Sequence, residues 1–587
     1  MIEFDEPVKD YVGYFKDLHS RNVSEFFEDL VRTSKVSEPE NIATVAELRE
    51  LESGISKGSS TRGWWRFARI ASIVVAAGSV IAAIQLKDWY YFLFAPALAA
   101  LLFVFLKVNK AVKELNEKLG ELEKAKNAKS DEAWAQMEPL NGLYTWETAR
   151  KLFMKTYPDI KLDPFLSNLR LADLQKNYNL SPGFNDGRSM LISQGGSLKE
   201  NPFVIARYIQ HWIGSKIYYG SITIFWSEQV RNANGDYVTV QRSQVLTANV
   251  TKPFPEYQNR TQVIYGHEAA PNLSFSRGPS NLSGIGDGVF DHWRKEHAVK
   301  KVEKKARKAV NSGEGNLTVM SNREFEALFN AIDRDNEIEF RLLFTPLAQQ
   351  EMVNILNDKE ASYGDDFSFV KQGLVNFVES NHMGSTQFDG DPSIFRSLEL
   401  AQARQFFNDF HNDFFRSLYF GFAPLLTVPM YRENRSMAVA KAGAGSKATS
   451  FWEHEAMANY LGHQNFAHPD SVTQNLLKPA VVGTADDTST VKVTAYGYQG
   501  IPRVDIIPMF GGDGRWHDVP VPWTEYIPVS AESQILVGAI RDLDNDEDEK
   551  TNKTLEGTWQ AALNKHGITT ENAFIRGALA ATFLRSK

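Results

Sequence analysis

The chain has 587 residues, of which 43% are hydrophobic, and its 64 Lys and Arg stand against 72 Asp and Glu for a formal net charge of −8. Its length calls for about three or four units, its mean hydropathy of −0.33 excludes a polytopic transporter, and its negative charge argues against a nucleic-acid partner. The absence of cysteine excludes disulfides, thiol nucleophiles, Cys-ligated zinc and iron–sulfur clusters.

Residues 1–60 read as an N-terminal cytoplasmic helical segment. Pro7 opens a helix with Val8, Tyr11, Val12, Phe15 and Leu18 at helical spacing. A second, Asn41–Glu52, carries Ile42, Val45, Leu48 and Leu51, and Gly58-Ser59-Ser60 reads as a joint. Two charge-free apolar runs follow, Ile70–Leu86 and Trp89–Leu106, parted by Lys87-Asp88. Each is about as long as a bilayer-crossing helix, so residues 66–108 are expected to form a tight two-helix transmembrane hairpin. Lys57, Arg62, Arg66 and Arg69 flank it on one side and Lys107, Lys110, Lys113 and Lys118 on the other. Basic flanks stay in the cytoplasm. The expected location is therefore the cell membrane, multi-pass with two spans, with both termini cytoplasmic and the lipid bilayer as a partner. Trp64, Trp65, Trp89, Tyr90 and Tyr91 read as interface anchors.

Residues 108–138 then read as a helical stalk. Val108, Val112, Leu115, Leu119 and Leu122 alternate by four and three, the pattern of a short coiled coil. Such a seam either self-associates or packs on its own domain.

Residues 140–290 read as an α+β domain. Thr145 caps a helix running to Tyr157, and Phe203–Ile213 reads as a second helix. Tyr218–Glu228 and Tyr237–Thr251 are rich in Ile, Val, Thr and aromatic residues around Asn232–Asp236, the clearest β-hairpin in the chain. Residues 291–587 read as helix-rich α+β with a strand-rich part at 479–528. Their first helix, 294–308, is strongly basic and a candidate contact for anionic lipid. Ser321-x-x-Glu324 reads as a capping box, Glu337–Phe344 as a strand, Thr345-Pro346 as a helix start, and Pro392–Phe420 as a long helix. Thr490–Tyr498, Arg503–Phe510 and His517–Val521 read as strands.

Candidate chemistry is sparse. His454-Glu455, His463 and His468 form the densest histidine cluster, but Ala458 stands where a His-Glu-x-x-His zinc helix needs its second imidazole. In an extended chain Asp333, Asp335, Glu337 and Glu339 would share one face, a row able to bind a hard cation. Tyr363-Gly364-Asp365-Asp366 matches the metal-holding tetrapeptide of viral RNA polymerases, without the apolar strand that should precede it. Gly284-x-Gly286-x-Gly288, Gly443–Lys447 and Gly511–Gly514 fail as phosphate loops, the last reading as a hairpin turn. No catalytic residue and no cofactor is expected.

The layout resembles that of many bacterial membrane proteins: a short helical N-terminus, a transmembrane hairpin and a large cytoplasmic α+β region. The expectation is a membrane-anchored cytoplasmic interaction or scaffold protein, with a protein partner or self-association. The alternative is a membrane-tethered, metal-dependent hydrolase using the histidines or the acidic row.

Overall fold

The computed structural model describes residues 6–85, 107–231, 236–280, 320–388, 390–435, 448–485, 488–540, 549–569 and 573–584, with residues 99, 102, 233, 297, 300 and 304 singly. The described residues divide into two units. One comprises residues 1–19, 146–390 and 412–587, the other residues 20–145 and 391–411.

The second unit is helical. Pro7–Asp10 and a π-turn at Tyr11–Phe15 lead into α1 (Lys16–Ser34), which enters it. Two long helices follow, α2 (Glu38–Gln85) and α3 (Asn109–Asn141). Gly54 and Gly58 of α2 face Leu122 and Leu119 of α3, and a Cβ added at Gly58 would lie 2.7 Å from Leu119. Glycine here lets the two backbones approach. Glu52 pairs with Lys126 at 3.0 Å and Glu47 with Lys129 at 2.8 Å. Partner numbers fall along one helix as they rise along the other, so the pair is antiparallel. The unit closes on residues 391–411, where Arg49 donates to Glu399 at 2.7 Å and Asn41 donates to the Leu398 carbonyl.

The first unit is built on two antiparallel sheets. Before them come α4 (Thr148–Thr156), β1 (Ile160–Leu162) and α5 (Asn168–Asn177). Four strands follow: β2 (Arg188–Leu198), β3 (Asn201–Arg231), β4 (Tyr237–Gly266) and β5 (Ser274–Arg277). Three helices, α6 (Arg323–Phe329), α7 (Glu337–Leu343) and α8 (Pro346–Asn357), precede the hairpin of β6 (Phe367–Gln372) and β7 (Val375–Ser380). These strands make a seven-stranded sheet in the order β1-β2-β3-β4-β7-β6-β5, so it draws strands from both sides of residue 290. One apolar cluster packs Phe203, Ile205, Val263 and Phe369 with α6–α8 and with the second half of α9 (Leu400–Leu426). Another cluster packs Val204, Ala206 and Ile264 with Leu171, Leu174 and Trp452. In a strand, successive side chains point to opposite faces, so the central strands are buried on both sides.

The second sheet follows α10 (Phe451–Tyr460). It contains β8 (Leu476–Ala485), β9 (Thr488–Phe510), β10 (Trp516–Ala539), β11 (Phe574–Arg576) and β12 (Leu579–Leu584), in the order β11-β12-β10-β9-β8. The helix α11 (Glu549–Lys565) packs Trp559 and Leu563 against Leu536 and Ala580.

Two strand pairs run far beyond their sheets. Pairing of β2 with β3 stops at Arg188–Gln210, and pairing of β7 with β4 stops at Glu379–Gln262. Outward from there β3 and β4 pair only with each other, to Arg231–Tyr237. In the second sheet, β9 and β10 likewise continue as a two-stranded ribbon from Gly497–Val529 to Phe510–Trp516. An isolated two-stranded ribbon is marginal in water, and these two bury one face against each other. Ile224, Leu246 and Ala248 of the first meet Val519 and Val521 of the second. Gly220 sits at the crossing, where a Cβ would lie 2.0 Å from the Pro520 carbonyl oxygen. Lys252 pairs with Asp505 at 2.7 Å, and Gln244 accepts from the Gly512 N–H at 2.7 Å.

Several expectations are corrected. The transmembrane hairpin, and with it the two-span membrane location with cytoplasmic termini, is overturned: among the described residues no helix is long and apolar enough to cross a membrane. Ile70 begins no span of its own. The first apolar run is the end of a continuous helix of 48 residues whose first half is charged. Of the second run only Ala99 and Leu102 lie among the described residues, and the Lys87-Asp88 tip lies outside them. The Gly58-Ser59-Ser60 joint is uninterrupted helix. Nothing supports a self-associating coiled coil, because Leu119, 3% exposed, is spent on Gly58 within the same chain.

Phe203–Ile213 is strand, not helix. Its apolar run is buried because it is central, and period alone cannot separate such a strand from a buried helix. Glu337–Phe344 is helix, not strand, because the Asn336 side chain caps it by accepting from Glu339 N–H at 3.1 Å. The cap of α6 is Asn322, not Ser321, and accepts from the Phe325 N–H. Thr490–Tyr498 and Arg503–Phe510 form one strand. Of the basic helix 294–308, only His297, Lys300 and Lys304 lie among the described residues, and residues 284–288 and 443–447 lie outside them.

Candidate functional site

The residues singled out by sequence do not gather in one place. The acidic row lies beside β5, the last strand of the seven-stranded sheet. An edge strand presents backbone donors with no neighbour. Here Asp335 accepts from the Ser274 N–H at 2.7 Å, Asp333 from the Ser276 N–H at 2.9 Å, and Glu339 from the Asn272 N–H at 2.9 Å. Three carboxylates thus stand where a neighbouring strand's carbonyls would. Glu337 turns away to Arg334 at 2.8 Å and Arg341 at 3.1 Å. The chain is not extended there, so the single face that sequence reading required does not exist.

Asp365 and Asp366 are also spent within the fold. Asp365 forms a fully buried ion pair with Arg277 and accepts from the Ser280 N–H. Asp366 accepts from His382 Nδ1 at 2.6 Å, and the His382 ring stacks on Tyr363 at 3.8 Å.

The histidine segment begins at Ser450, whose hydroxyl accepts from the Glu453 N–H and starts α10. This helix packs against β2 of one sheet and β8 of the other. His454 is 2% exposed and its Nε2 lies 2.8 Å from Thr449 Oγ1; burial pushes its imidazole down to about 4. Glu455 is fully buried between Asn185 and Lys478, whose ammonium stands 3.0 Å away. Burial outweighs that ammonium, and the carboxyl is pushed up to about 7. His463 lies on a 3₁₀ turn, half-buried and pushed down by burial. His468 stands 3.9 Å from Asp470. Among the described residues, no three His, Asp or Glu side chains gather to hold one metal ion.

Glu453, on the same helix, leads elsewhere. It accepts from Ser193 Oγ at 2.6 Å and from the Leu166 N–H at 3.3 Å, and it lines a pocket of about 100 Å³ that opens to solvent. The pocket's polar wall holds Glu147, Arg150, Ser193, Gln194 and Arg576; its apolar wall holds Trp146, Phe165, Phe388, Phe414 and Leu418. Glu147 occupies the N-cap position of α4 but makes no side-chain cap bond. It is 4% exposed, and among the described residues no donor reaches its Oε1. Buried polar atoms are nearly always paired, so this oxygen marks the pocket. Sequence reading missed the site because its walls come from segments hundreds of residues apart. The only local signal was an acidic residue at a helix start.

One more buried group stands out. Lys371 is fully buried in β6, donates to the carbonyls of Ala269 at 3.0 Å and Gly373 at 2.6 Å, and is pushed down to about 7 by burial. Beside it His267 is pushed down to about 4 by burial and by the Lys371 charge.

No family model, curated protein or solved structure matches this chain.

Proposed function

We propose that this is an interaction protein that assembles with a second copy of itself through the outer face of the β3–β4 ribbon. One observation carries the reading. At the odd positions 213–229 and 239–253 every side chain is exposed, and not one is charged, in a chain where 23% of residues are charged. Ile213, Ile217, Tyr219, Phe225 and Val245 alternate there with Ser, Thr, Asn and Gln, and Phe225 is 76% exposed. Contiguous exposed apolar side chains of this kind mark sites of protein contact. A two-fold contact sets like residues against like, so a charge-free face meets its own copy without repulsion. The face is roughly 55 Å long and 10 Å wide. That projected area, on the order of 550 Å², approaches the ~800 Å² per partner of a standard interface.

The test is the mass of the full-length protein by light scattering and sedimentation at tens of micromolar. Wild type is expected to self-associate. Tyr219→Lys with Phe225→Lys, both at exposed positions, is expected to leave the fold unchanged by circular dichroism and to shift the mass to that of one chain. A monomeric wild type, or an assembly indifferent to both lysines, refutes the proposal.

A further inference from the structure

We infer that the pocket beside α4 binds a small organic ammonium compound, with Glu147 as the acceptor of its N–H groups and the aromatic wall as the seat of its body. Three observations meet at this place. Glu147 is 4% exposed, and its Oε1 has no donor among the described residues. Glu453 differs, since Ser193 and the Leu166 N–H already donate to it. Arg576 donates to the Leu191 carbonyl and Arg150 Nη1 to the Leu162 carbonyl, while the buried Arg150 Nε meets no acceptor among the described residues, a place for a ligand oxygen beside the ammonium. The open acceptor is therefore Glu147.

The class of ligand follows from this environment. A carboxylate taken out of water is costly unless a cation pairs with it and hydrogen-bonds to it. A hydrogen-bonding cation supplies both, and a charge-assisted N–H···O bond is roughly twice as strong as a neutral one. Phe388 and Phe414 line the same pocket, and aromatic faces attract cations as well as apolar bodies. The pocket holds about 100 Å³ and opens to solvent, room for a ring or short branched chain bearing one ammonium group.

The probes are benzylamine, phenethylamine and isoamylamine, each with its alcohol counterpart, titrated calorimetrically into the full-length protein. The amines are expected to bind and the alcohols to bind about tenfold more weakly, since a charge-assisted hydrogen bond is roughly twice as strong as a neutral one. Glu147→Gln, nearly the same shape, is expected to lose the amine affinity by tenfold or more. Gly390→Val probes the same site without touching the carboxylate. A Cβ at Gly390 meets nothing nearer than 3.6 Å, so the fold accepts it while the side chain fills pocket space. Amines that fail to bind at millimolar concentration overturn the inference. So do alcohols that bind as well as amines, or amine affinity that survives in both variants.

Discussion

Replacing Glu455 by Gln removes a charge from a place that water does not reach. In the wild type, burial holds this carboxyl at about 7 against an ordinary 4.5, although Lys478 and Asn185 both pull it down. The folded chain therefore binds a proton between those pH values that the unfolded chain has released. The sign follows: the group's contribution is fully present below the ordinary carboxylate range and is lost as pH rises through about 7. At 1.36 kcal/mol per pH unit the loss is roughly 3 kcal/mol. Glutamine is neutral throughout and shows no such loss. Lys478 is 30% exposed in its side chain, so water can still reach it once its partner is gone. The stability difference between Glu455→Gln and wild type, measured by urea unfolding with tryptophan fluorescence, is expected to move by roughly 3 kcal/mol in favour of the variant between pH 5 and pH 8.5. A difference that stays flat across that range would show that Glu455 ionises freely in the fold, and the reasoning would be wrong.

Two further outcomes follow from buried contacts. Lys371 is held at about 7 against 10.5, so the stability of the wild type relative to Lys371→Met should rise by roughly 4–5 kcal/mol as pH climbs between those values; parallel curves for the two proteins would contradict the assignment. Gly220→Ala places a Cβ 2.0 Å from the Pro520 carbonyl oxygen, so the ribbons must part at a cost of about 1–3 kcal/mol; limited proteolysis should then cut faster within residues 211–258, and an unchanged cleavage rate would mean the ribbons do not need that contact.

Some of the architecture is written in neighbouring residues. Val238, Val240, Leu246, Ala248 and Val250 alternate with Thr, Gln, Ser and Asn, which makes the β3–β4 pair legible as strands. Gly514, at φ +78°, closes the β9–β10 turn that the glycine cluster predicts. Thr345 accepts from the Ala348 N–H and Pro346 starts α8, as their order requires. Periods, caps and turns act over a few residues, so a few residues suffice to show them.

What buries a given face is a different matter, because the partner lies far away in the chain. The apolar run 203–206 is strand because β2 and β4 flank it. Three carboxylates of the acidic row accept from the backbone of residues 272–276, which lie some sixty residues upstream. The stalk seam is satisfied by glycines more than sixty residues upstream, and the apolar run after Ile70 continues a helix begun at Glu38. The pocket joins Glu147 to Arg576. A sequence specifies which surfaces are apolar, charged or hydrogen-bonding; only the tertiary fold decides what covers each one, since burial is a property of the pair and not of either side alone.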